Sequence, residues 1–225
     1  MNPLDHVLAY LKETYDPSVV IAYGSFANGT NDSHSDFDAL VVTEQAEALH
    51  DDTVVDGTVL DVFLYSPEHF TGAYQITEIE QIYDGEVLID RDGLGAALRQ
   101  KAQESVSAYQ PKPRAELKME ISWCRKMQQR AERGDAEGYY RWHWLLTDSL
   151  EIYCDLQQQR YLGPKKSLAY LKQSDINAYH TYQKALACFD KESLKAWVDC
   201  LGDLFDIIEA DGEKGGKAIS PQING

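Results

Sequence analysis

The stretch that most constrains the fold of this chain is VVIAYGSFANGTNDSHSDFDALVV, Val19 to Val42. Apolar, β-branched runs at both ends predict two buried strands, 18–23 and 36–42, joined by a polar loop. Side chains alternate along a strand, so Asp36 and Asp38 project from one face. Two carboxylates held that close repel unless a cation lies between them or one keeps its proton. Mg²⁺ suits the position, because it takes oxygen ligands and prefers a few carboxylates plus substrate phosphates. Asp61 interrupts a third apolar run, TVLDVFLYS, between Leu60 and Val62. A carboxylate inside a buried strand needs a partner, and it joins the cluster if its strand neighbours 36–42. At Gly24-Ser25, the end of the first strand, a glycine lets backbone approach a phosphate, and the serine hydroxyl and nearby N–H groups can donate to it. A phosphate cradle beside an acidic cluster is the equipment of metal-assisted phosphoryl or nucleotidyl transfer.

The rest of the chain sorts into two halves. Leu4, Val7, Leu8 and Leu11 recur at helical spacing and predict a helix over 3–15. The third strand is expected over 58–65, with a partner in DTVVDGT across a Gly turn. PEHFTGAYQITEIEQIY reads as helical or irregular, EVLID as a short strand and GLGAALRQKAQESVSAY as a helix. Pro111 and Pro113 then mark a boundary. Beyond them the pattern is helical over 114–132, 136–160, 165–173, 176–189 and 191–209, with the aromatic-rich YYRWHWLLTDSLEIYCDL as the central helix. The Gly-rich tail DGEKGGKAISPQING is expected to be flexible on its own. The predicted class is α+β, with a catalytic domain at 1–110 built on a small mixed sheet and a helical bundle at 111–225.

Charge follows the same division. Of the net −16, residues 1–110 hold the whole excess, with 20 Asp/Glu against 4 Lys/Arg, while the rest balances at zero. Such a surface repels nucleic acid and attracts metal ions or a cationic substrate. No apolar run approaches the ~20 residues that span a bilayer, so no membrane partner is expected. The first residues carry acids and no apolar core of a secretory signal. Cys124, Cys154, Cys188 and Cys200 lie in helical sequence without C-x-x-C spacing, which fits reduced, buried thiols. These features predict a cytoplasmic protein.

GSFANGTNDSHSDFD resembles the nucleotidyltransferase signature G-S-x-A-x-G, a spacer, then S-D-x-D, through Gly24, Ser25, Ala27, Gly29, Ser35, Asp36 and Asp38. Asp61 sits where that family places its third carboxylate. The chain is similar to the DNA polymerase β-like nucleotidyltransferase superfamily. Within it, the chain looks most like bacterial lincosamide and aminoglycoside nucleotidyltransferases, in which a helical domain follows the catalytic one. Asn28 stands where many relatives have Arg. The resemblance implies ATP or another nucleoside triphosphate, two Mg²⁺ ions and transfer of a nucleoside monophosphate to a hydroxyl of a small acceptor. It also implies that Asp36 and Asp38 hold metal, that Gly24, Ser25 and Ser35 bind nucleotide, and that Asp61 is a third ligand or the base. Glu116, Glu120, Asp148 and Glu151 are alternative bases. The acceptor is expected between the domains, lined by His143, Asp148 and Glu151. Protein-modifying and antitoxin-like regulatory relatives are the alternatives, and a homodimer is compatible with the sequence.

One further expectation concerns cations. A triphosphate is highly anionic, yet the first half offers only Lys12, Arg91, Arg99 and Lys101, none of them in the motif loop. Lys165 and Lys166 follow a Gly-Pro turn at a helix start, where lysine opposes the helix dipole unless an anion binds there. They are the expected phosphate-binding pair.

Overall fold

A computed structural model describes residues 3–32, 34–45 and 50–215, with the side chains of 211–215 left aside. The chain divides into two compact units, Met1–Tyr109 and Gln110–Gly225.

The first unit begins with helix α1 (Pro3–Tyr15), whose Val7 and Leu11 are fully buried. The strands are β1 (Val19–Tyr23), β2 (Phe37–Val42), β3 (His50–Asp51), β4 (Val54–Val55), β5 (Thr58–Tyr65) and β6 (Glu86–Asp90). The one-turn helix α2 (Gly24–Ala27) leaves β1 directly. The sheet order is β3-β5-β2-β1-β6, with β4 also on β5. Among the described residues, only β2 and β5 run parallel; the other pairs are antiparallel. A parallel pair cannot be closed by a tight turn, and here residues 43–57 make the crossover, which contains β3 and β4. Asp56 and Gly57, with φ of 48° and 83°, close the β4–β5 hairpin, the left-handed pair that a two-residue hairpin turn requires.

Both faces of the sheet are covered. Val20, Ala22, Phe37, Ala39, Val41, Leu60, Val62 and Leu64 pack with α1 on one side. On the other, Val19, Ile21, Tyr23, Leu40 and Val42 meet Ile79, Ile82, Leu98 and Ala102. The last two belong to helix α3 (Leu94–Ser107), and the isoleucines lie in or beside 3₁₀ turns at Ile76–Glu78 and Glu80–Asp84. Burial on both sides explains why β1 and β2 read as continuous apolar runs.

The second unit comprises α4 (Arg114–Ala131), α5 (Ala136–Leu156), α6 (Pro164–Ser174), α7 (Ile176–Ala187) and α8 (Lys191–Gly215). Its breaks are chemical. Asp135 accepts from the Gly138 amide, Asp175 from those of Asn177 and Ala178, and Asp190 from that of Ser193, so an aspartate caps each following helix. Helix α5 is central, burying Trp142, Leu145, Leu146, Leu150 and Tyr153. Inside the core the Trp197 indole donates to Ser149 Oγ at 2.8 Å, and Tyr182 Oη donates to the Leu146 carbonyl at 2.6 Å. Cys124 and Cys154 are buried, and Cys188 and Cys200 are half-buried; all four are free thiols. Burial, with the Glu120 charge nearby, pushes the Cys124 thiol up to about 12.

Three boundaries and one strand stand out against the sequence expectation, beyond ends that move by a residue or two. The second strand starts at Phe37, leaving Asp36 just outside it. Helix α5 stops at Leu156 rather than 160, because Gln158 adopts a left-handed φ of 55° and the Gln159 amide bonds back to the Cys154 carbonyl, a helix-ending pattern usually marked by glycine. Helix α8 runs on to Gly215; the tail residues 216–225 lie outside the described residues. Strand β3 was not anticipated. Among the described residues, no helix is long and apolar enough to cross a membrane.

Candidate active site

The motif residues meet on the sheet face that carries Ile21 and Leu40. In register, Tyr23 of β1 lies opposite Asp38 of β2, and Asp38 lies opposite Asp61 of β5. One transverse row therefore carries Tyr23, Asp38 and Asp61. The expected neighbouring of the 58–65 and 36–42 strands is present, and the two aspartates are partners on adjacent strands. The Tyr23 phenol reports both charges: burial raises its pKa first, the Gln81 side chain acts against that, and Asp38 and Asp61 raise it further.

Gly24 explains how Asp38 is accommodated. Its φ is +67°, and a Cβ there would overlap Asp38 Oδ2 and stand 3.1 Å from its Cγ. The carboxylate lies against the glycine backbone, in space that a side chain would take. Of the other motif residues, Ser25 is buried at 5% exposure, and its carbonyl accepts from the Thr30 amide at 3.0 Å. Ser35 Oγ accepts from the Asp32 amide at 2.9 Å and donates to its carboxylate at 3.2 Å, closing the turn ahead of β2. Asn28 Oδ1 accepts from the Thr30 hydroxyl. Asp36 is exposed, two residues before Asp38.

Sequence reasoning missed His50. On β3, its Nε2 lies 2.7 Å from Asp61 Oδ1, and its ring packs on Phe63 with centroids 4.9 Å apart. The next residue, Asp51, is buried and accepts from the Thr53 amide and hydroxyl and from Tyr10 and Tyr15. Burial alone would raise its pKa; the bonds from Thr53, Tyr15 and Tyr10 outweigh burial and lower it. A two-residue strand gives no periodicity. The available signal was two ionisable residues, His50 and Asp51, just ahead of a hairpin.

In the second unit the carboxylate candidates gather on the facing helices α4 and α5, where the Glu151 charge acts on Glu120 and the Glu120 and Asp148 charges act on the Cys124 thiol, whereas Lys165 and Lys166 stand at the start of α6. Lys112 bridges Glu120 and the buried Asp155. Burial raises the Glu120 pKa in spite of that lysine. Glu116, Met119, Glu120 and Trp123 line an open cleft of about 460 Å³, and Trp123 meets Trp144 edge-to-face at 5.7 Å. Asp148 accepts from the Trp144 indole; Glu151 is exposed, and the exposed His143 stacks on Phe189. At the start of α6, Lys165 is exposed, whereas Lys166 is half-buried and lines a cavity of about 90 Å³ with Arg160 and Tyr170.

Among the described residues, no three His, Cys, Asp or Glu side chains converge on one ion position. The donor set still fits Mg²⁺, which dehydrates reluctantly and is usually held by one or two carboxylates, water and substrate phosphates rather than by a protein cage. Asp38 and Asp61 are such a pair, and Asp36 lies two residues ahead of Asp38, just outside β2.

No curated protein matches the chain. Among solved structures, it is similar to a nucleotidyltransferase-like protein from Exiguobacterium sibiricum, with 11% identity, a TM-score of 0.40, and coverage of 94% of this chain and 76% of that one. Residues 4–92 match the family described as nucleotidyltransferase domain. That segment contains β1, the Gly24 turn, Asp36, Asp38 and Asp61. The protein thus carries a nucleotidyltransferase domain of the DNA polymerase β-like superfamily and is a nucleotidyltransferase.

Proposed function

We propose that this enzyme is Mg²⁺-dependent and moves a nucleoside monophosphate from a triphosphate, ATP foremost, to a hydroxyl of a small cationic acceptor of the aminoglycoside or lincosamide kind, as an antibiotic-resistance enzyme would. The observation that carries the reading is the in-register pair Asp38 and Asp61, with Gly24 making room for Asp38. Asp36, Asp38 and Asp61 are the residues that would hold the metal. When bound, Mg²⁺ supplies charge neutralisation for the triphosphate and its leaving pyrophosphate. Gly24 lets the backbone approach the phosphates, with Ser25 and Ser35 shaping the loop around them. Asp61, adjacent to Asp38, is the residue to receive the proton of the attacking hydroxyl. That oxygen bonds to the α-phosphorus as the bond to the β-phosphate oxygen breaks. Lys165 and Lys166 are assigned to the triphosphate as the cations the first unit lacks. The excess negative charge of the first half supports a cationic acceptor.

Pyrophosphate release from ATP, GTP, CTP and UTP with Mg²⁺, against amino-sugar, lincosamide and protein acceptors, tests the reading. Turnover is expected with one triphosphate and a cationic small molecule, and it should be lost in Asp36→Asn and Asp38→Asn, both still folded. Lys165→Ala and Lys166→Ala should lower the maximal rate, because charge builds on the leaving group in the transition state. Near-normal turnover in either aspartate variant refutes the carboxylate mechanism, and modification of the protein acceptor alone refutes the small-molecule assignment.

A further inference from the structure

We propose that His50 is the positioning residue of Asp61, a role that rests on the nucleotidyl-transfer reading of that carboxylate. His50 Nε2 stands 2.7 Å from Asp61 Oδ1, and a hydrogen bond to a carboxylate there requires the proton on Nε2. This engages one carboxylate oxygen and sets the carboxylate's rotation, so that ligand chemistry falls to Oδ2.

Three observations hold the imidazole in place. Strand β3 pairs antiparallel with β5, with His50 opposite Phe63, two residues beyond Asp61 on the same face. The His50 ring lies against the Phe63 ring at a 44° tilt. The adjoining Asp51 is buried and bonded to Tyr10, Tyr15 and Thr53, which anchors a strand of only two residues from beneath. Asp51 is buried and the histidine beside it is not: the His50 and Asp61 side chains are 42% and 41% exposed. A pair that open contributes little to stability. Its value lies in orienting a side chain whose strand partner is Asp38, as outer partners do for ligating and reacting groups.

The test uses the full chain with Mg²⁺, the triphosphate that turns over and the non-hydrolysable analogue α,β-methylene-ATP. In ¹⁵N spectra of the imidazole groups, Asp61→Asn should move the His50 Nε2 signal more than Asp38→Asn does. His50→Ala should lower kcat by about 10–100-fold, the range seen when such outer partners are removed, while the melting temperature is unchanged. His50→Gln, whose side-chain amide can donate in place of Nε2–H, should recover most of the rate. Wild-type kcat in His50→Ala overturns the proposal. So does a His50→Gln variant as impaired as the alanine, which would reduce the role to packing on Phe63, and so does a His50 signal indifferent to Asp61→Asn. A wild-type chain that consumes no triphosphate overturns the transfer reading instead. In that case the imidazole response to the Mg²⁺–analogue complex decides for His50: a response removed by Asp61→Asn upholds the coupling, and an unmoved signal ends it.

Discussion

Replacing Gly24 by alanine separates two effects that usually travel together. At φ +67°, any L side chain carries a left-handed penalty of about 1–2 kcal/mol. Gly57, at φ +83° with nothing within 4 Å of an added Cβ, would carry that penalty alone. At Gly24 the new Cβ also meets Asp38, with Cγ at 3.1 Å against about 3.5–4.0 Å for relaxed carbon contact. The carboxylate must therefore withdraw by roughly 0.5–1 Å, and misplacement on that scale can cost about 10²-fold in rate. Both variants should melt lower, by roughly 4–8 °C for each kcal/mol in a domain near 100 residues, measured by circular dichroism. Gly57→Ala should keep its turnover, whereas Gly24→Ala should lose about a hundredfold. Equal turnover in the two variants would refute the claim that the glycine is there to seat Asp38.

Two predictions concern buried charge. The Asp51 pKa is lowered in the fold, so its contribution is present above the unfolded value near 3.9 and lost as pH falls through the folded one. Asp51→Asn should destabilise the first unit at neutral pH by about 1–3 kcal/mol, and its melting temperature should fall less than wild type's below pH 4; parallel curves would contradict this. Lys112→Met removes the lysine that bonds Asp155, whose side chain is 4% exposed, and should cost about 1.5–3 kcal/mol. Combining it with Asp155→Leu should restore most of that loss, and denaturant titration of the two variants checks it.

Much of this arrangement was legible because one alternation serves two purposes. In TVLDVFLY the apolar set that fills the core and the intervening positions that carry Asp61 are read from the same period, so the strand and the facing of its aspartate came together. The adjacency of β2 and β5 was harder, because nothing local specifies a parallel neighbour twenty residues away. It followed only from asking what a carboxylate in a buried strand could pair with. Strand β3 stayed hidden because two residues have no period, and the end of α5 because Gln158 takes a conformation that sequence assigns to glycine. His50 is a tertiary fact: its partner Asp61 lies eleven positions away, around a hairpin.

The parallel β2–β5 pair has a consequence for how this protein can vary by insertion and deletion. Leu60, Val62 and Leu64 face one core while Asp61 faces the other side. Adding one residue to β5 ahead of Asp61 would turn the aspartate into the apolar layer and the leucines out of it, so fold and chemistry would fail in the same step. Adding two residues would restore the facing but slide Asp61 two positions along β2, past Asp38. Neither change has a neutral intermediate. The exposed Thr30-Asn31 spacer between the two halves of the motif carries no such double duty. Length variation in this domain should therefore accumulate in that loop, with β5 kept at a constant count from its hairpin to its aspartate.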